Sequence, residues 1–300
     1  MIGFESIKLA LLNSYHQQKL HHAILLNGKK GIGKASFAKE LALEILDNKF
    51  NPHPDLFLIS KDTEKREIGI DKIRAISSFV NQTSAISKNK FIIIDSACEL
   101  NKSASNALLK ILEEPRDNNF LILISHNLNR ILPTIRSRCL TLKAPDLSTQ
   151  NLQQILQQNN LNFSDSELFF LSEICDKSPA IMIDFGPELS RFYELFLRSI
   201  INKKISEELF KKISDKNFPF IIFEKSIEFF FSRLLKFLSS NLAEFFFEEE
   251  KIFLNLRRKF SAEKIFIICD KSLNLLHKTS SFALDKKLTF INIFNQICYD

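Results

Sequence analysis

The residues from Gly28 to Lys34 have the types and spacing of a phosphate-binding loop. They match the pattern G-x-x-x-x-G-K, in which glycines let backbone N–H groups turn towards phosphate oxygens. A helix that opens at the loop adds positive potential there, and Lys34 would meet the outer phosphates. Gly28, Gly31 and Gly33 are half of the six glycines in the chain. A chance glycine turn is the alternative interpretation, and the complete pattern favours the phosphate loop.

The positions that should bind Mg²⁺ and activate water carry other residue types. A phosphate loop continues with Ser or Thr, whose hydroxyl binds the metal, and here Ala35 follows the lysine. Ser36 comes next, but one helical step turns a side chain by about 100°, away from the metal. Asp95 could hold Mg²⁺ through water or merely cap a strand, and Ser96 stands where a hydrolase needs a glutamate base. The sequence predicts no hydrolysis and no required cofactor, and leaves open whether ATP or ADP binds.

Alternating strands and helices must position these residues up to about residue 142. Continuous apolar strands separated by helices are typical of a parallel sheet covered on both faces. The predicted fold class is therefore α/β, with a parallel sheet and a phosphate loop. Apolar runs predict strands at 23–26, 56–59, 91–94 and 120–124, and amphipathic stretches predict helices at 34–46, at 72–81 capped by Asp71, and at 103–113.

After residue 145 the pattern becomes wholly helical. Ser164 and Glu167 have the spacing of a capping box, which predicts the start of a helix. This small helical section is predicted to end near Gly186-Pro187, and everything beyond it is also predicted to be helical. We therefore predict three domains, an α/β domain at 1–144, a small helical lid at 145–187 and a larger helical section at 188–300.

Composition limits the class of protein. The chain has 300 residues and a net charge of +6, which permits contact with nucleic acid but lacks a dense basic stripe. Its five cysteines are scattered and none forms a C-x-x-C pair, which favours reduced thiols. No run approaches the ~20 apolar residues of a membrane span, and no leader sequence is evident. We expect a cytoplasmic protein without a membrane partner.

Further motifs give the chain a specific resemblance to one family. Beyond the loop and the His22-Ala23 pair before it, they are His53-Pro54-Asp55, Ile-Asp-Lys-Ile-Arg at 70–74, Asn-Ala-Leu-Leu-Lys-Ile-Leu-Glu-Glu-Pro at 106–115 and Thr-Ile-Arg-Ser-Arg-Cys at 134–139. The chain resembles the AAA+ clamp-loader subunits of bacterial DNA polymerase III, and more narrowly their delta prime class. The resemblance is dense from about residue 22 to residue 139. Beyond that it rests on helical pattern and length.

The resemblance implies a ring of five subunits that opens a sliding clamp and places it on primed DNA. The implied partners are the ATPase subunits (gamma/tau), the delta subunit, the sliding clamp and primed DNA, whose backbone is contacted. ATP would lie between neighbours, so Arg138 within Ser137-Arg138-Cys139 would be an arginine finger for the next subunit's γ-phosphate. A surface salt bridge is the alternative for Arg138. The section at 188–300 would form the collar that holds the ring together.

The resemblance also points to departures from the active members. Ser125 or His126 occupies the family's sensor position, but the lid stretch at 177–180 is Lys-Ser-Pro-Ala and lacks the expected arginine. Residues 48–55 contain no cysteine, so we expect neither the zinc module of some relatives nor any other metal. These departures favour a non-hydrolysing subunit that acts as a stator and donates Arg138.

Three alternative functions fit the sequence less well. An active ATPase motor subunit of the gamma/tau type is disfavoured by Ala35, Ser96 and Ala180. A free-standing P-loop kinase leaves the block at 106–115 and the Ser-Arg-Cys motif unexplained. A DNA-binding module acting alone is disfavoured because the basic residues are too diffuse. The motor subunit is the main alternative.

Overall fold

A computed structural model describes residues 1–47, 52–62, 67–242, 244–282 and 284–299. The chain forms two compact units. The first unit consists of residues 1–160 and 177–180, and the second of residues 161–176 and 181–300. These units do not coincide with the three predicted domains, whose boundaries stay predictions. Among the described residues, no helix is long and apolar enough to cross a membrane.

The first unit is built on a parallel sheet. Its strands are β1 (Ala23–Asn27), β2 (Leu56–Ile59), β3 (Lys90–Ile94), β4 (Asn119–Ser125) and β5 (Leu140–Lys143). The spatial order is β2-β3-β4-β1-β5, and every neighbouring pair is parallel. The four predicted strands are confirmed, and so is the predicted α/β fold. The sequence did not predict β5, because three of its four residues are exposed and it lacks an apolar run.

Helices flank this sheet and bury its faces. They are α1 (Glu5–His16), α2 (Lys34–Ile45), α3 (Ile70–Asn81), α4 (Lys102–Glu113), α5 (Pro133–Arg136) and α6 (Thr149–Gln158). The predicted cap of α3 was wrong. The cap is Gly69, and Asp71 lies inside the first turn, where its carboxylate still complements the helix dipole. The cap of α4 is Asn101, whose side chain accepts a hydrogen bond from the N–H of Ala104.

The described residues of the second unit form helices and their connections, without a strand. The helices are α7 (Asp165–Ile174), α8 (Pro179–Ile201), α9 (Glu207–Ser214), α10 (Phe220–Leu238), α11 (Glu249–Lys259), α12 (Ala262–Phe282) and α13 (Lys286–Cys298), and the first two residues of α8 belong to the first unit. The predicted capping box is confirmed, because Ser164 and Glu167 each bond the other's backbone N–H at the start of α7. The predicted end of the small helical section near Gly186-Pro187 falls within α8, and this domain boundary stays a prediction. Pro187 lies inside α8, where buried side chains such as Leu189 and Phe192 hold the helix together across the proline.

A buried ion pair lies in the core of the second unit. The Arg233 Nε atom donates to both carboxylate oxygens of Glu249 at 2.8 Å, and Nη2 donates to one of them at 2.6 Å. Nη2 also donates to the carbonyl of Glu244, and the hydroxyl of Tyr193 donates to Glu249. The ring of Phe246 lies 4.3 Å from the guanidinium carbon. Both charges are therefore paired and hydrogen-bonded, as burial requires.

Candidate functional site

The phosphate loop connects β1 to α2, and its glycines are structurally necessary. Gly31 and Gly33 have φ angles of 78° and 94°, which side chains rarely adopt. A Cβ at Gly31 would lie 2.0 Å from the hydroxyl of Ser178, and one at Gly33 would lie 2.4 Å from the methyl group of Met1. Ala180 donates its N–H to the carbonyl of Gly31 at 3.3 Å. The lid stretch at 177–180 therefore packs directly on the loop.

Lys34 is bound to the loop itself. Its side chain is buried, and Nζ donates to the carbonyl of Gly28 at 2.7 Å and to that of Lys29. Burial lowers the pKa of Lys34 to about 8, although the negative groups Asp95 and Cys98 act in the opposite direction. These two backbone oxygens use two of the three ammonium donors, so a phosphate group would meet the third donor or replace one of the carbonyls.

The residues around the loop do not fit a bound Mg²⁺ ion. Ala35 has no oxygen to offer, and Ser36 beside it is exposed. Asp95 follows β3, and its N–H donates to the carbonyl of Ile59 at 2.8 Å. Ser96 has a φ of 60°, an unfavourable angle for a residue with a side chain, so this turn is locally strained. The glycine amides fit a phosphate group, but the donor set for its metal ion is incomplete.

The end of β4 adds polar groups to the same edge of the sheet. Ser125 is fully buried and pairs in register with Asn27, the last residue of β1. Its hydroxyl accepts the N–H of Asn127 at 3.0 Å, and its carbonyl accepts the N–H of Gly28 at 3.1 Å. The carboxyl ends of β1, β3 and β4 thus bring together the loop, Asp95 and Ser125, as expected for a ligand site on a parallel sheet.

The His53-Pro54-Asp55 motif has a structural role that the sequence did not reveal. The buried carboxylate of Asp55 accepts three backbone N–H bonds, from Ala85 at 2.7 Å, Ile86 at 3.0 Å and Ser87 at 2.8 Å. Burial alone would raise the pKa of Asp55, but these bonds outweigh it and lower the pKa. The motif therefore fixes the segment that leads into β3.

Arg138 lies at the opposite end of the sheet from the loop, because it precedes β5 whereas the loop follows β1. Its guanidinium is 37% exposed and forms an ion pair with Glu113 at 2.9 Å. Nη1 donates to the carbonyl of Thr134 at 3.0 Å. Ser137 is exposed, while burial raises the pKa of the Cys139 thiol to about 11. In the isolated chain, Arg138 therefore forms a surface ion pair. This pair was the alternative interpretation for the predicted arginine finger.

Comparison with known proteins finds similarity in the first half of the chain. Residues 4–148 match the family model described as DNA polymerase III, delta subunit. A DNA polymerase III subunit delta' of Pseudomonas aeruginosa is 36% identical over an alignment of 141 residues, which covers 41% of this chain and 43% of that protein. In this region the chain is similar to DNA polymerase III delta prime subunits. Because the match spans less than half the length of that relative, the relative's whole activity does not follow from it.

The chain is also similar to a gamma subunit in sequence and to a gamma subunit-related protein in fold. A DNA polymerase III subunit gamma of Buchnera aphidicola subsp. Schizaphis graminum is 30% identical over 197 residues, 59% of this chain and 54% of that protein. The chain thus spans about half the length of these curated relatives. The crystal structure of a DNA polymerase III gamma subunit-related protein from Thermotoga maritima has a TM-score of 0.52 at 22% identity, with 98% of each chain covered. The fold is therefore an AAA+ P-loop α/β domain followed by helical parts.

Zinc was not expected in this chain, and that expectation stays a prediction. Part of the predicted position, residues 48–51, lies outside the described residues. Within the described residues, one group of three potential metal ligands occurs, formed by Glu224 and Glu228 on α10 and His277 on α12. Two of the three are carboxylates and His277 is exposed, so this group does not resemble a cysteine module.

Proposed function

We propose that this chain is a non-hydrolysing subunit of the bacterial DNA polymerase III clamp loader. It acts in DNA replication as a stator and donates Arg138 to the ATP site of a neighbouring ATPase subunit, during loading of the sliding clamp onto primed DNA. Similarity to DNA polymerase III delta prime subunits supports the coarse role. The finer role is supported by one contrast, a loop without a magnesium ligand at Ala35 alongside a half-exposed arginine at position 138.

The chain's own loop takes no part in hydrolysis under this proposal. Ala35 and Ser96 replace the metal ligand and the base, and Lys34 is held by loop carbonyls. ATP or ADP binding without hydrolysis needs only the loop amides and Lys34, and no nucleotide is required for the stator role. Bound nucleotide would supply phosphate charge to the loop, and Lys34 would then donate to it.

Arg138 suits the role of a finger because of its chemistry and its present partner. A guanidinium is always charged and can bind a phosphate group through two parallel N–H bonds. The ion pair with Glu113 is solvent-exposed on both sides, and such pairs contribute only about 0–1 kcal/mol. Arg138 can therefore exchange its partner Glu113 for a phosphate group at the neighbouring subunit's ATP site at little cost in free energy.

The proposed partners follow from the same ring. They are the gamma/tau ATPase subunits, the delta subunit, the sliding clamp and primed DNA held through its backbone. The helical section at 188–300 serves as the collar in this proposal, and it offers a well-packed core for that purpose. Phe230 and Phe253 within it are fully buried and in edge-to-face contact, with ring centroids 5.5 Å apart.

The deciding experiment removes the arginine from a reconstituted complex. Arg138→Ala should lower DNA-stimulated ATP hydrolysis by roughly 10³-fold, the lower range for an arginine finger, without preventing assembly. Arg130→Ala is the matched control, because Arg130 is an exposed arginine that lies shortly before α5. Hydrolysis that Arg138→Ala leaves at the level of the control would remove Arg138 from this role.

The active motor subunit remains a second candidate because of the 30% identity to a gamma subunit. It predicts that the purified chain alone hydrolyses ATP with Mg²⁺. We expect no turnover above background. Measurable turnover that disappears in Lys34→Ala would replace the stator with the motor, since a contaminating ATPase would be insensitive to that substitution.

A further inference from the structure

A thiol and an imidazole meet at the carboxyl edge of the sheet. Cys98 lies in the short turn at 97–99 after β3, and its Sγ atom is 3.3 Å from Nδ1 and 3.6 Å from Nε2 of His126. The hydroxyl of Ser125 and the backbone N–H of His126 also lower the pKa of this thiol. A ring nitrogen within hydrogen-bond distance of the sulfur can stabilise a thiolate by donating its proton.

The electrostatic setting also favours the thiolate. Burial would raise the pKa of Cys98, but the hydrogen bonds from His126 and Ser125 outweigh it and lower the pKa to about 7. Lys34 on α2 interacts with the same sulfur. Other charged groups near the turn are Asp95 at the end of β3 and Glu99, which pairs with Lys61 at 3.0 Å.

The other cysteines of the chain have the opposite setting. Desolvation dominates at each of them and disfavours the thiolate. Burial raises the pKa to about 11 for Cys139, about 12 for Cys175, about 12 for Cys269 and about 11 for Cys298. Cys139 is the most accessible of the five, since the other four are buried. Accessibility therefore favours oxidation of Cys139, whereas thiolate character favours oxidation of Cys98. An experiment that compares these two cysteines can show which property controls oxidation.

We propose that Cys98 is a modification site for small peroxides, with hydrogen peroxide as the representative oxidant. The sulfur attacks one peroxide oxygen and the O–O bond breaks. The proton that the thiol gives up passes through a ring nitrogen of His126 to the leaving hydroxide, which becomes water. The sulfur loses two electrons to the peroxide and becomes a sulfenic acid. A small oxidant is required because Cys98 is only 2% exposed. The product introduces an oxygen atom beside Lys34 and the phosphate loop.

The first test compares the five cysteines in the native full-length chain. The chain is exposed to limiting hydrogen peroxide at pH 7, sulfenic acid is trapped with dimedone, and each cysteine is quantified by mass spectrometry. We expect Cys98 to be labelled several-fold faster than Cys139. Equal or faster labelling of Cys139 would show that access alone governs oxidation, and an unlabelled Cys98 would equally overturn the proposal.

The second test asks whether His126 activates the thiol. The labelling rate of Cys98 should rise with pH to a half-maximum near 7, and His126→Ala should move that midpoint up by about one to two pH units. Ser125→Ala should move it in the same direction by less. His16→Ala, an exposed histidine on α1, is the matched control and should leave the midpoint unchanged.

Circular dichroism establishes that each variant retains the fold. A midpoint that stays near 7 in both folded variants would mean that the imidazole and hydroxyl only pack against the sulfur. If His126→Ala fails to fold, Ser125→Ala still tests the proposal. This variant removes the Ser125 hydroxyl, so it must by itself raise the pH midpoint of Cys98 labelling.

Discussion

Two arginines in different regions of the molecule show how a structural cation differs from one available for function. Arg233 is buried in the second unit and is surrounded by a carboxylate, a carbonyl and aromatic rings. Arg138 in the first unit has one exposed carboxylate, one carbonyl and the hydroxyl of Ser137 as partners. Arg233 cannot turn its Nε and Nη2 atoms to a new ligand without leaving Glu249 buried and unpaired. Arg138 can exchange its carboxylate partner at small cost.

The largest expected effect comes from removing the buried arginine. Arg233→Ala leaves the carboxylate of Glu249 uncompensated, so the free energy of unfolding should fall by about 3–5 kcal/mol. Chemical denaturation followed by helical circular dichroism measures the loss. Arg191→Ala is the control, since Arg191 forms an exposed pair with Glu208 and its removal should lower the free energy of unfolding far less. Equal losses for both variants would mean that burial does not distinguish the two kinds of pair.

A smaller, pH-dependent effect is expected from another buried cation, Lys34. Its folded-state pKa is about 8, below the ordinary lysine value of 10.5, so the unfolded chain binds more protons between these values. The contribution of Lys34 to the free energy of unfolding should therefore be lowest at neutral pH, and it should rise as the pH increases from 8 to 10.5. The measurement is the difference in unfolding free energy between the wild type and Lys34→Met across this pH range. The contributions of the other lysines are the same in both proteins and cancel in this difference. A difference that stays flat would contradict the burial of a charged Lys34.

The smallest effect is expected at the partner of Arg138. Glu113→Gln removes one exposed ion pair and should change the free energy of unfolding by about 0.5 kcal/mol or less. In the reconstituted clamp loader, it should also leave ATP hydrolysis within about twofold of wild type, because Glu113 is displaced when the finger engages. A loss of hydrolysis as large as that of Arg138→Ala would show instead that Glu113 positions the arginine.

The sequence predicted best where local chemistry decides the structure. The four apolar strands and the capping box at Ser164 each depend on neighbouring residues, and each is confirmed. The sequence missed β5, because this strand exists through its pairing with the distant strand β1. The continuation of α8 through Pro187 likewise accompanies buried side chains on both sides of the proline. Neither feature is visible in a short window of sequence.

The same division applies to the candidate site. The types of Ala35 and Ser96 were enough to predict a missing metal ligand and a missing base. The contacts of Lys34 with loop carbonyls and the pairing of Cys98 with His126 join residues 5 to 28 positions apart. The fold alone brings these groups together, so composition and motif could identify the loop but not its internal hydrogen bonds.

The parallel pairing of β1 with β5 limits what a single chain can do. Ile24 pairs with Leu140, so Arg138 lies two residues before the level of Ile24, whereas the loop begins at Gly28. With about 3.3 Å per residue, at least ~13 Å of strand separates the two ends. An arginine side chain extends roughly half that distance. The guanidinium therefore cannot reach the phosphates of its own loop, and any nucleotide it contacts must belong to another molecule.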